Sequence, residues 1–168
     1  MKHYLIAAIL IWATPSFGQE SHDAHQRTNP SIPTSMSMED VAELTAGRGW
    51  GLAKPAELNG VAGPTHVLEL AEQLELTQAQ RDRIEPIRAA MQEEAIALGK
   101  RLIELELALD EYFRAGTVTD ETLKASLADI AETMGELRFV HLSAHLTTPT
   151  ILTPMQLATY SELRGYSH

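Results

Sequence analysis

Residues 74–80 read LELTQAQ and residues 152–156 read LTPMQ, so Leu-Thr-x-x-Gln occurs twice in one chain. Each copy is a device for starting a helix. Thr77 and Thr153 are N-cap residues whose hydroxyls can accept from the backbone three positions on. Gln80 and Gln156 stand at that third position, where their side chains reach back to the cap's own N–H. This is a capping box. Pro154 suits the first helical position, where its missing N–H costs nothing. The Leu before each Thr is placed to pack back onto the new helix.

The chain between the two motifs is a helical hairpin. After Thr77, apolar residues recur at steps of three and four: Ile84, Ile87, Met91, Ala95, Leu98, Leu102, Leu105, Leu109 and Tyr112 or Phe113. This is a continuous seam at near-heptad spacing, with charged residues on the other face. Pro86 predicts a mild kink near its start, and Gly99 weakens its middle. RAGTVTDET, residues 114–122, breaks the pattern, with Gly116 just past the helix end and Thr119 capping the next. A second seam follows through Leu123, Leu127, Ile130, Met134, Leu137 and His141. So short a connection makes the helices antiparallel neighbours. The fold expected is all-α: a long antiparallel hairpin flanked by short helices. Two helices cannot bury both seams within one chain, so a homodimer is expected.

The chain as a whole divides into four expected segments. Residues 1–18 have a basic start, a short apolar run and small residues at Ser16-Phe17-Gly18; they read as a signal peptide cleaved after Gly18. Residues 19–35 read as a disordered polar tail. Residues 36–63 hold a short helix, capped by Ser37 with Asp40 and ended by Gly47, and then a Gly-rich irregular stretch. Residues 64–166 form the hairpin domain, entered through Pro64 and an amphipathic pattern from Thr65 to Leu74.

Composition narrows the function. A net charge of −10 argues against a nucleic-acid partner. The chain has no Cys, so export leaves it dependent on packing or partners rather than disulfides. It carries no Cys nucleophile, HExxH, G-x-S-x-G or phosphate loop, and its adjacent glutamates point different ways on a helix, so no enzyme is expected. In VHLSAH, residues 140–145, His141 and His145 project from one helix face about a turn apart. Such a pair can clamp Zn²⁺, Ni²⁺, Co²⁺ or Cu²⁺. It can equally serve packing and hydrogen bonding near a helix C-terminus, where an imidazolium also suits the helix dipole.

An exported, Cys-free helical chain with LTQAQ before a long hairpin and LTPMQ after it resembles the LTxxQ-motif family of periplasmic proteins. These are related to the Spy and CpxP chaperones and to CnrX-type heavy-metal sensor and resistance proteins. The resemblance covers residues 64–166. It implies a curved helical hairpin that dimerises in the periplasm. It also implies a non-enzymatic role in envelope or metal stress: binding unfolded protein clients or a membrane-bound regulator, sensing a transition metal, or serving as a structural adaptor. In the metal-sensing members a His-x-x-x-Met pair supplies ligands. His141 matches that His, and His145 stands in place of the Met. A His-x-x-x-His pair is expected before the first motif. His66 matches one member of that pair, while Leu70 occupies the other position. Arg88 falls near the place where the resemblance expects a carboxylate.

Overall fold

The computed structural model describes residues 31–166, which form helices and turns without a strand among them. The order is α1 (Met38–Thr45), α2 (Lys54–Glu57), α3 (Pro64–Glu69), α4 (Gln78–Arg114), α5 (Asp120–Thr147), a 3₁₀ turn (Thr148–Ile151) and α6 (Pro154–Leu163). The all-α hairpin expected from the two seams is present, with α4 and α5 as its arms. Among the described residues no helix is long and apolar enough to cross a membrane. The expected signal peptide, and residues 19–30 of the expected tail, lie outside the described residues.

Both Leu-Thr-x-x-Gln motifs form complete capping boxes. The structure adds a contact between them. Gln80 Nε2 donates to Gln156 Oε1 at 2.8 Å, and Gln156 Nε2 donates back to Gln80 Oε1 at 3.0 Å. The second proton of Gln80 goes to the Ile151 carbonyl at 3.0 Å, and that of Gln156 to the Leu74 carbonyl at 3.1 Å. Each Oε1 also accepts its own threonine's N–H, at 3.1 Å for Thr77 and 2.9 Å for Thr153. Both donors and the acceptor oxygen of each amide are therefore used. This reciprocal clasp ties the start of α4 to the start of α6. Beneath it lies one apolar cluster built from Leu74, Leu76, Ile84, Ile151, Leu152 and the fully buried Tyr160, with Val67 and Ala71 of the α3 region.

A second cluster lies along the hairpin, where Leu44 of α1 packs with Ala95, Leu102, Ile103, Leu137 and Val140. Gly99 is what lets α1 lie so close. A Cβ there would sit 2.5 Å from the Leu44 carbonyl oxygen, so the residue read as a helix weakness is a packing requirement. The Gly-rich stretch packs inward as well. Trp50 Nε1 donates to Asp40 Oδ1 at 2.7 Å, which reuses the capping carboxylate of α1, and Ala53 and Ala62 are buried.

Two expectations change. The polar tail is not disordered to residue 35: Pro33 is buried, Thr34 bonds Asp110 through its N–H (2.7 Å) and its hydroxyl (2.5 Å), and Ser35 bonds Glu106 at 2.9 Å. The helix expected to run from Thr65 to Leu74 stops at Glu69, because the chain must turn to enter the Thr77 cap; Glu75 takes a positive φ of 50° in that turn. As expected, α4 runs through Pro86, which cannot donate to the Asp82 carbonyl. The apolar seams are buried only partway, as a two-helix hairpin requires. Phe113 is 58 % exposed and Leu127 49 %, because α1 and residues 33–35 reach no farther than Asp110 and no third layer covers the hairpin tip among the described residues.

The two glycines inside the arms predict opposite results. Gly135→Ala adds a methyl into open space and should stabilise by about 0.5–1 kcal/mol. Gly99→Ala should destabilise by about 1–3 kcal/mol despite the same gain in helix propensity. Urea denaturation of both variants checks the pair. For the clasp, Gln80→Ala and Gln156→Ala should each cost about 2–3 kcal/mol, and the double variant less than their sum, because the second loss removes a partner already orphaned.

Candidate functional site

The C-terminal end of α5 is held against the segment that precedes the first motif. His145 points from α5 into the turn at residues 61–63, where its Nδ1 lies 2.8 Å from the Val61 carbonyl oxygen. A carbonyl only accepts, so Nδ1 carries the proton and Nε2 keeps its lone pair in the neutral ring. Gly63 makes this fit possible: a Cβ at that position would lie 2.4 Å from the imidazole. One turn earlier, His141 is 3 % exposed, and its buried Nε2 has no hydrogen-bond partner among the described residues. Buried polar atoms are rarely left so, and an orphan of this kind needs a reason. Among the described residues, the hydroxyl of the fully buried Tyr160 of α6 is the other such atom.

His66, on α3, joins the two α5 histidines. All three line one pocket of about 360 Å³, together with Glu57 of α2, Glu69 of α3 and Arg88 of α4. His66 Nδ1 stands 3.9 Å from Glu57 Oε1, and both side chains keep about a quarter of their surface exposed, which leaves them room to turn. Burial lowers the pKa of His141, and the neighbouring His145 lowers it further, against an opposing pull from Glu57. Burial also lowers the pKa of His66, with Arg164 acting in the same direction and Glu57 and Glu69 opposing it. Both rings are thus held toward the neutral form, which has the lone pair a metal requires.

The three histidines singled out from the sequence therefore share one pocket, although His66 is far from the other two along the chain. Glu57 was missed. It lies in a single-turn helix inside a stretch that reads as loop, and no spacing rule connects it with His66. Arg88, near the place where a carboxylate was expected, bonds Glu85 and Gln92 instead and forms a cationic edge of the pocket. Leu70 packs with the apolar cluster under the clasp and supplies no donor. The motif residues Thr77, Gln80, Thr153 and Gln156 act in the clasp and do not line this pocket.

The donor set fits a borderline transition metal in kind: three imidazoles and a carboxylate. The proton of His145 Nδ1 held on a backbone carbonyl is the support that ligating histidines commonly have. Among the described residues, no three His, Asp or Glu groups already stand close enough to hold an ion, so Glu57 and His66 would have to swing inward. The chain matches no protein-family model, and no curated protein or solved structure matches it. The LTxxQ resemblance thus rests on the motifs themselves.

The pKa shifts give a test in metal-free buffer. His141 and His66 have folded pKa values below the ordinary 6.5. A depressed value means the unfolded chain binds more protons, so this part of the stability is complete above pH 6.5 and is lost as pH falls toward the folded values. Thermal denaturation with a chelator present should show a lower Tm at about pH 5.5 than at about pH 7.5. The His141→Gln variant should flatten that dependence.

Proposed function

We propose that this is an exported, non-enzymatic stress protein that binds a transition-metal ion in the three-histidine pocket. The observation that carries the reading is the buried, unpartnered Nε2 of His141, beside a His145 whose other nitrogen is already fixed by the Val61 carbonyl. His141, His145, His66 and Glu57 would hold the ion, which would act as a cross-link. It would join α2 and α3, which contribute Glu57 and His66, to the end of α5. Binding that favours the closed arrangement would stabilise it and shift the population toward it. A membrane-bound regulator could read that shift, and the periplasm is where such a chain would meet one.

A second reading, as a binder of unfolded clients, is favoured by the apolar side chains left in solvent along the hairpin. Phe139 is 70 % exposed and Leu146 74 %. The homodimer expected from the unfinished seams belongs to both readings.

Calorimetric titration of residues 19–168 with Zn²⁺, Ni²⁺, Co²⁺ and Cu²⁺ tests the first reading. At least one ion should bind with Kd below about 1 μM. His141→Ala/His145→Ala should abolish that binding, and Glu57→Gln should weaken it by about 10–100-fold. Binding that survives the double substitution would reduce the histidines to packing groups.

A further inference from the structure

Among the described residues, the hairpin has one covered face and one bare face. Helix α1 and the Gly-rich stretch cover the first, approaching α4 through Gly99 and Gln92. On the other face, α4 and α5 leave an open groove of about 560 Å³ between them. Its floor is apolar, formed by Ala97 and Leu98 of α4 and Phe139 and Val140 of α5. Gly135 widens it, because no atom stands within 4 Å of where a Cβ would be. An exposed aromatic beside a glycine gap on a regular helix is a surface for a partner's side chain.

The charged residues that line this groove are acidic. Glu94 borders it from α4 and Glu136 from α5. Glu132 lies one turn before Glu136 on the same stripe of α5. The basic residue on the matching stripe of α4, Arg101, faces Glu104 of its own helix at 3.9 Å. The chain as a whole carries −10. A second copy laid on this face would bring like charges together, whereas a cationic partner would be drawn to it.

We infer that the α4–α5 groove binds cationic amphipathic polypeptide segments, seating their apolar face on Leu98 and Phe139 and their lysines or arginines against Glu94, Glu132 and Glu136. The inference deepens the client-binding reading and rests on it; it is independent of the metal pocket. It adds a selectivity: such a protein protects against, or escorts, basic amphipathic chains, and an acidic segment of equal hydrophobicity is rejected. Helix-in-groove recognition supplies the apolar part of the binding, and the acidic border supplies the discrimination.

Three designed amphipathic peptides of about five helical turns test it, with one Leu/Trp face in common and a polar face of Lys, Gln or Glu. Fluorescence anisotropy with the metal-free protein should show the Lys peptide binding at least about tenfold tighter than the Glu peptide, with the difference shrinking as salt rises. Gly135→Leu starts from a position where a Cβ meets nothing within 4 Å, fills the groove, and should abolish binding while the Tm is kept or raised. Glu94→Lys/Glu136→Lys should reverse the preference. Equal binding of all three peptides would overturn the charge selectivity and leave the client reading standing. No binding by any of them would overturn both. Sedimentation showing a dimer that Gly135→Leu dissociates, with peptide binding unchanged, would assign the groove to a second copy and overturn the inference as well.

Discussion

The structure depends on two glutamine side chains that hold each other. Gln80 and Gln156 lie far apart in sequence, each at the third position of a helix it helps to start. Each spends its oxygen on its own cap and on the other's amide, and its second proton on a carbonyl of the opposite segment. A capping box alone is a local device worth about 1 kcal/mol. Two boxes sharing their glutamines become a long-range tie that closes the base of the hairpin. The tie fixes where the chain enters α4 and where it returns after α5. The turn before Thr77 and the turn at residues 148–151 therefore lie together over one apolar cluster.

The pocket follows from that closure. With its base tied, the end of α5 is pressed against residues 61–66, and His145 fits into the space left by Gly63. His141 is buried with it, one nitrogen unpartnered, and His66 arrives on the short helix just before the first motif. The site is therefore assembled from chain segments far apart in sequence, which the clasp and the apolar cluster beneath it bring together. Farther out, the same hairpin runs past its covering layer, and its opposite face stays bare and acidic. One end of the molecule is built around buried imidazoles and the middle around an open groove, so two binding surfaces can act on one scaffold.

Much of this was legible in the sequence, because periodicity and capping are local. The apolar steps from Ile84 to Leu102 mark a buried helix face, and Thr77, Thr119 and Thr153 each cap a helix as their spacing predicts. His141 and His145 were visible as a pair on one face. What was not legible depends on the tertiary path. Gly99 reads as a weak helix position until Leu44 is seen against it, and Thr34 reads as tail until it meets Asp110. Periodicity tells which face is apolar and not how far the covering layer extends, so which seam residues stay exposed was not legible either. Glu57 left no signal, because a one-turn helix has no period.

The most direct measurement is X-ray absorption at the zinc edge on protein loaded with one equivalent of Zn²⁺. The account predicts a closed shell of nitrogen and oxygen donors at about 2.0–2.1 Å, with the outer scattering of two or three imidazoles, and a loss of that scattering in His141→Ala/His145→Ala. A shell of water oxygens without imidazole scattering, or one unchanged by the double substitution, would contradict the metal pocket and leave His141 and His145 as groups that lock the closed base of the hairpin.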